Sequence, residues 1–262
     1  MKGLPEMTDS PNPTTETVLI LRTCSADMSA YGGFVWPESG PVECPDWDPA
    51  PECGNGLHGA LWGEGNGSLL DWSEDARWLV VAVAAADIVD LGGKVKFPRG
   101  NVVYCGDRLG AAAYIQRPGR VVIGGTATAG DRGTATAGDR GTATAGDHGT
   151  ATAGYYGTAT AGDCGTATAG DGGTATAGYG SEATAGDFGA ATAGYRGTAT
   201  AGYGGTATAG IGGIATAGEG GVIQLAWWDG TRRRVAVGYV GEDGIRAGVA
   251  YRVVDGALEA AG

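Results

Sequence analysis

Residues 141–164 read GTATAGDH GTATAGYY GTATAGDC, three eight-residue units with nothing inserted between them. The period runs from Gly125 to Gly220, twelve octads, with Ala at position three and Thr at position four of every one. Threonine twice per unit and glycine at the flanks favour extended chain over helix. One octad buries nothing alone, so the units must stack at the strand spacing of about 4.8 Å. Departures from the consensus tell which way the side chains point. Position two holds Glu182, Ala190 and Ile214 in three octads, whereas position three never departs from Ala. A position that takes Glu faces water, and the two-residue alternation of a strand then turns positions two and four outward and three and five inward.

An interior of alanine and glycine fills only a thin, flattened cross-section at native packing density. Two strands facing each other across a narrow gap satisfy that, which makes one coil two octads long. The predicted fold is therefore mainly β: a two-faced β-solenoid of about six 16-residue coils, roughly 29 Å long at about 4.8 Å per coil. Gly at positions one and six is expected to turn the corners with positive φ. Asp at position seven is expected to act as a turn former that bonds its own backbone. Around the array the chain divides into a flexible N-terminus (1–15), an α+β globular domain (16–118) holding five of the seven tryptophans, the solenoid (119–220) and an antiparallel β cap (221–262). The cap shows turn signals at Trp228-Asp229-Gly230 and Asp255-Gly256, and Arg232-Arg233-Arg234 reads as a solvated edge strand. Solenoid ends expose strand edges, which the flanking regions are placed to cover.

Composition removes several classes. Glycine makes up 53 of 262 residues, but there is no Gly-X-Y period and only 10 prolines, so collagen is excluded. A net charge of −12 excludes a binder of nucleic-acid backbone. Eight acids against three arginines over the octads are too sparse for a mimic of duplex DNA. No window approaches the roughly 18 apolar residues of a membrane span, so no membrane partner is expected. The opening residues show no apolar signal core, and the five cysteines are irregularly spaced, as reduced thiols are. Both features predict a cytoplasmic protein.

The stretch Ala201-Gly202-Tyr203-Gly204-Gly205-Thr206-Ala207-Thr208 resembles the AGYGSTxT octapeptide of bacterial ice-nucleation proteins, which pair octads into 16-residue coils. Members of that family carry far longer arrays and are associated with the outer cell surface. With two octads per coil, odd-numbered octads share a face that carries Thr126, Thr128, Thr142, Thr144, Thr158, Thr160, Thr174, Thr176, Thr192, Thr206 and Thr208, interrupted only by Ala190. The even face is broken by Glu182 and Ile214. Such a grid of hydroxyls and methyls suits an ice or water surface; the alternative is that Thr is simply a strand former that pairs well with Thr. On the odd edge Tyr179 and Tyr195 are expected to stack, and the resemblance implies side-by-side association through such a ladder.

Residues 18–110 are similar to an uncharacterised domain of bacterial and phage proteins that precedes repeats, on Trp47 and Cys53-Gly54-Asn55-Gly56-Leu57-His58. Cys44, Cys53 and His58, with Cys24, invite a zinc reading, but C-x8-C-x4-H is not a tight ligand pair, and no metal or cofactor is expected. The acidic corners lack the calcium-roll nonapeptide. Gly54–His58, followed by Trp78–Val83 and preceded by Arg22-Thr23, is similar in order to the nicotinamide loop of ADP-ribosyltransferases, although no late Glu stands near Lys96, Phe97 or Tyr104. Arg22, Cys53 and His58 are thus the candidate small-molecule site; the alternative is that His58 and the tryptophans build a core. With two histidines and no G-x-S-x-G, no complete catalytic set is present. The leading expectation is a non-enzymatic structural or interaction module, acting on a protein partner or on itself. Ice or water binding is the first alternative, and an ADP-ribosyltransferase-like or small-molecule-binding N-terminal domain the second.

Overall fold

Thr17–Cys24 (β1, TVLILRTC) and Arg77–Ala84 (β4, RWLVVAVA) are nearly unbroken apolar runs, the pattern of strands covered on both faces. In the computed structural model, which describes residues 16–118 and 120–261, they pair antiparallel along their whole length at the centre of a seven-stranded sheet. Gly40–Glu43 (β2) and Arg99–Gly106 (β7) extend it beyond β4; Leu57–Leu61 (β3), Val95–Phe97 (β6) and Val89–Asp90 (β5) extend it beyond β1. Ile20 and Leu21 are neighbours that point to opposite faces, yet neither is exposed. Ile20 packs with Trp36, Leu79, Val81 and Phe97; Leu21 packs with Val80, Ala111, Ile115 and Ile123. The second layer is built by the helix Arg108–Ile115 (α1), whose first turn is capped by Asp107 accepting from the Gly110 amide at 2.8 Å. The flexible stretch expected over 1–15 lies outside the described residues.

The octads form twelve four-residue strands, β8 (Thr126–Ala129) to β19 (Ile214–Ala217), one per octad. Odd octads pair parallel with odd and even with even, always in a 16-residue register such as Thr142↔Thr158 and Ala143↔Ala159. This is a β-solenoid of six two-octad coils with two facing sheets. The alanines at positions three and five form one continuous core from Ala135 to Ala217, nearly all under 5% exposed, while no Thr on the outer faces is buried. Position two carries Glu182 exposed, as its tolerance of charge requires.

The corners differ from expectation. Positive φ falls on position eight of all twelve octads, among them Arg132, His148, Phe188 and Gly212, and on none of the glycines at positions one and six. The Gly141 amide donates to the Gly138 carbonyl at 3.0 Å, closing a four-residue turn whose third residue is the left-handed one. Position six is glycine for a different reason. A Cβ at Gly194 would lie 2.6 Å from the Gly178 carbonyl oxygen of the coil below, so backbone packs directly on backbone there. Position one is less strict: Ser181 occupies it once, buried, with its hydroxyl donating to the Gly178 carbonyl.

The position-seven aspartates also depart from expectation, since they do not serve their own turn. All six accept the position-seven amide of the next coil: Asp131 from Asp147, Asp139 from Tyr155, Asp147 from Asp163, Asp163 from Tyr179, Asp171 from Asp187 and Asp187 from Tyr203, at 2.7 to 3.1 Å. Stacked carboxylates are thereby each tied to a backbone donor, which offsets the repulsion expected at a spacing of about 4.8 Å.

Val222–Trp228 (β20) continues the odd sheet in parallel with the last odd octad, placing Ile223 and Leu225 where alanines stood. It is thus a seventh rung before the chain reverses into Arg233–Tyr239 (β21), the outer strand of that sheet. Tyr251–Val254 (β22) and Ala257–Ala260 (β23) extend the even sheet antiparallel. Ile223, Leu225, Ile245 and Tyr251 join the alanine core and fill the wider section where the coil ends. At the other end, coverage is partial. The Gly67 amide donates to Asp139 at 3.1 Å, Arg140 lies 4.6 Å over the Trp72 ring and Gly124 donates to Asp139 O, yet Ala127 and Ala129 of the first rung stay half-exposed.

Candidate functional site

Two regions gather the chemistry singled out in the sequence. On the odd sheet, Thr126, Thr142, Thr158, Thr174 and Thr206 stand in one file, with Ala190 between the last two, and Thr128, Thr144, Thr160, Thr176, Thr192 and Thr208 in a second. The ladder Thr158 N to Gly141 O and Thr174 N to Gly157 O, each 2.9 Å, runs without a bulge, so the side chains repeat at the coil pitch. The spacings are about 4.8 Å up a file and about 6.7 Å between files. Both files face solvent. On the adjoining edge the Tyr179 and Tyr195 rings are parallel within 6° at 5.5 Å, and each is about half exposed.

The second region is in the N-terminal sheet. Arg22 on β1 lies flat on Trp36, its guanidinium carbon 4.2 Å from the ring centroid. Its Nε donates to the Thr23 carbonyl at 3.2 Å and one Nη to the His58 carbonyl at 3.1 Å. Burial pulls its pKa down to about 10, partly opposed by Cys24. His58, on the adjacent β3, is pushed below the ordinary imidazole value by burial first, then by Lys94, Arg22 and Lys96. These residues line a cleft of about 710 Å³ between segments 30–36 and 44–58, and Cys53 lies on its rim. Arg22, Cys53 and His58 therefore share one cavity wall. Trp36 and Lys94 complete it, with Lys96 buried outside the lining, and none of the three was singled out by sequence; the signal was available, because Lys94 and Lys96 are two of only three lysines in the chain.

The thiols do not converge on a metal. Cys44 donates to Asp46 at 2.9 Å and its thiol pKa is raised by burial and then by that bond; Cys24 points at Met28. Among the described residues no three His, Cys, Asp or Glu side chains gather as a ligand set. His148 sits exposed at a solenoid corner, next to Asp147.

Fold and surface together define a class: an octapeptide-repeat β-solenoid that carries periodic ladders of side chains on its faces and edges. Within that class the repeats resemble those of ice-nucleation proteins. The chain is 46% identical over 104 residues to an ice nucleation protein of Pseudomonas syringae, covering 39% of this chain and 9% of that protein. It is 46% identical over 103 residues to one of Pseudomonas fluorescens (38% and 8%) and 43% identical over 102 residues to InaU of Pantoea ananas (38% and 10%). The chain thus spans about a tenth or less of the length of these relatives. Residues 18–117 match the model of a domain of unknown function, DUF7666. No solved structure matches the chain. The expectation of a cytoplasmic protein does not stand against these matches, because the ice-nucleation family that the repeats resemble is associated with the outer cell surface. Among the described residues no helix is long and apolar enough to cross a membrane.

Proposed function

We propose that the protein is a non-enzymatic display module in which a stiff rod (119–220), flanked by 16–118 and 221–262, presents its odd-face threonine lattice to ice or ordered water. The observation that carries this reading is the unbroken 16-residue register of that face, which repeats hydroxyl and methyl at fixed intervals in two directions. Water held at such positions is ordered collectively, whereas scattered surface hydroxyls order it one molecule at a time. Alanine suits the interior of such a device because it has no side-chain rotamers to disorder the surface above it. The kinship of the repeats with ice nucleation proteins supports the same reading. The test is thermal hysteresis and recrystallisation inhibition with the full chain. Thr158→Lys, in the middle of the odd face, should abolish both, while Glu182→Lys on the opposite face should leave them intact. Absence of any effect at millimolar concentration, or equal activity in Thr158→Lys, rejects the lattice as the functional surface.

A second reading, that the rod is a structural support that associates side by side, is favoured by the exposed parallel pair Tyr179 and Tyr195. Replacing both by Ala should then reduce self-association in sedimentation velocity without changing the melting temperature of the coils. An unchanged sedimentation profile counts against it.

A further inference from the structure

This acidic chain carries 29 acids and 17 Lys and Arg, yet it collects cations around one cleft. Lys94 and Lys96, on the hairpin that leads into and along β6, and Arg22 on β1 are the charged neighbours of His58. The ion pairs among the described residues are Arg77–Glu38, Arg99–Asp87, Arg120–Glu64 and Arg234–Asp229, so none of the three cleft cations is neutralised by a carboxylate. Lys96 is 1% exposed, with its ammonium 5.6 Å from the Trp47 ring. Burying a cation without a counter-charge is unfavourable, and cations near one another add mutual repulsion. The single carboxylate in the cleft lining, Asp46, is already engaged by the Cys44 thiol.

Two further groups are left unsatisfied there. The buried Trp36 Nε1 and His58 Nε2 have no hydrogen-bond partner among the described residues, a condition that native structures seldom leave without a purpose. The second Nη of Arg22 also makes no bond within the described protein. Arg22, His58 and Lys94 line both the 710 Å³ cleft and an adjoining hollow of about 120 Å³, so they stand where a ligand's charged end and its body would meet. The larger volume lies in the usual range for small-molecule sites.

We propose that this cleft binds a small organic phosphate or diphosphate, with Arg22 and Lys94 holding the oxyanion, Lys96 supplying charge from beneath, and the organic part lying toward Phe34 and Trp36. The charge count selects the class. Three cations against Asp46 leave an excess of two, which a monocarboxylate does not neutralise and a phosphate dianion does. The guanidinium of Arg22 is stacked on Trp36, and its second Nη, without a bond within the described residues, is the donor left for a phosphate oxygen. Filling the cleft with an anion also relieves the suppression of His58 by its cationic neighbours.

The probes are ADP, pyrophosphate and adenosine, added to the full chain and followed by proton NMR of the imidazole ring signals. The chain has two histidines, so His148, at an exposed solenoid corner, is an internal reference. The expected result is saturable movement of the His58 resonances with ADP and with pyrophosphate, none with adenosine, and a stationary His148. Lys94→Gln, a half-buried rim change, should weaken ADP about ten-fold, the loss of one charge-assisted contact; Arg22→Gln should weaken it further where the variant remains folded. No saturable shift of His58 with ADP or pyrophosphate at about 10 mM, well past ordinary millimolar weak binding, overturns the proposal. So does an affinity unchanged in Lys94→Gln, or an equal response to adenosine. Ice assays report on the solenoid alone, so failure here leaves the reading of the threonine face standing.

Discussion

Replacing Gly194 by Ala tests why position six is glycine. A Cβ there lies 2.6 Å from the Gly178 carbonyl oxygen and 2.7 Å from its carbon. Ordinary contact needs roughly 3.4 Å or more, so the coils must part locally by about 0.8 Å. The Gly194 amide now donates to Ala177 O and Gly178 O at 3.0 Å each. Lengthened by that amount, both bonds pass beyond hydrogen-bonding range. At about 1 kcal/mol per bond, plus the strain of an overpacked site, the loss is about 2–4 kcal/mol. Gly180→Ala is the control. It lies at position eight with φ +60°, and only Cys164 Sγ, at 3.7 Å, comes near its new methyl. Its cost is the left-handed penalty alone, about 1 kcal/mol. Urea unfolding, followed by far-ultraviolet circular dichroism, should therefore show a much larger drop in midpoint for Gly194→Ala. If Gly180→Ala proves the more damaging, or Gly194→Ala lies within about 0.5 kcal/mol of the parent, backbone approach between coils is not what selects glycine.

Three further outcomes follow from the corners and the cap. Asp163→Ala removes the acceptor of the Tyr179 amide and should cost about 1 kcal/mol, while Asp163→Asn, which keeps an acceptor oxygen, should cost less than half of that in the same unfolding assay; equal losses would exclude the hydrogen bond as the cause. His148→Gly relieves a non-glycine residue at φ 56° and should stabilise by up to about 1 kcal/mol, the left-handed penalty less the extra freedom of glycine in the unfolded chain; a lower melting temperature would contradict this. Asp229 is held well below the usual carboxylate range by the Thr231 hydroxyl, then by the Arg232 and Thr231 amides and by Arg234. A depressed folded pKa contributes stability that is present above the unfolded value of about 3.9 and is lost as pH falls below it. Protection of the β20–β21 hairpin amides, measured relative to intrinsic exchange rates, should thus fall on acidification below about pH 4, and Asp229→Asn should remove that acid dependence; an acid response that persists in the variant would place its origin elsewhere.

The solenoid was largely legible because its rules are local and repeated. Alternation along four residues determines which side chains enter, and Glu182, once set at position two, identifies the wet face without any knowledge of the partner strand. The N-terminal sheet was legible only as a class, since Thr17–Cys24 and Arg77–Ala84 announce buried strands but not their neighbours.

The chain by itself determined the period, the alanine interior and the outward threonines, because these follow from the two-residue alternation of extended backbone and from residue size. Tertiary structure alone decided that position six must lack a Cβ, that each Asp reaches the amide sixteen residues on, that β20 continues the array as a seventh rung, and that Arg22, Trp36, His58 and Lys94 share one wall. Each of these depends on how closely segments distant along the chain approach in space, a distance that coil pitch and sheet order set and that residue spacing does not encode.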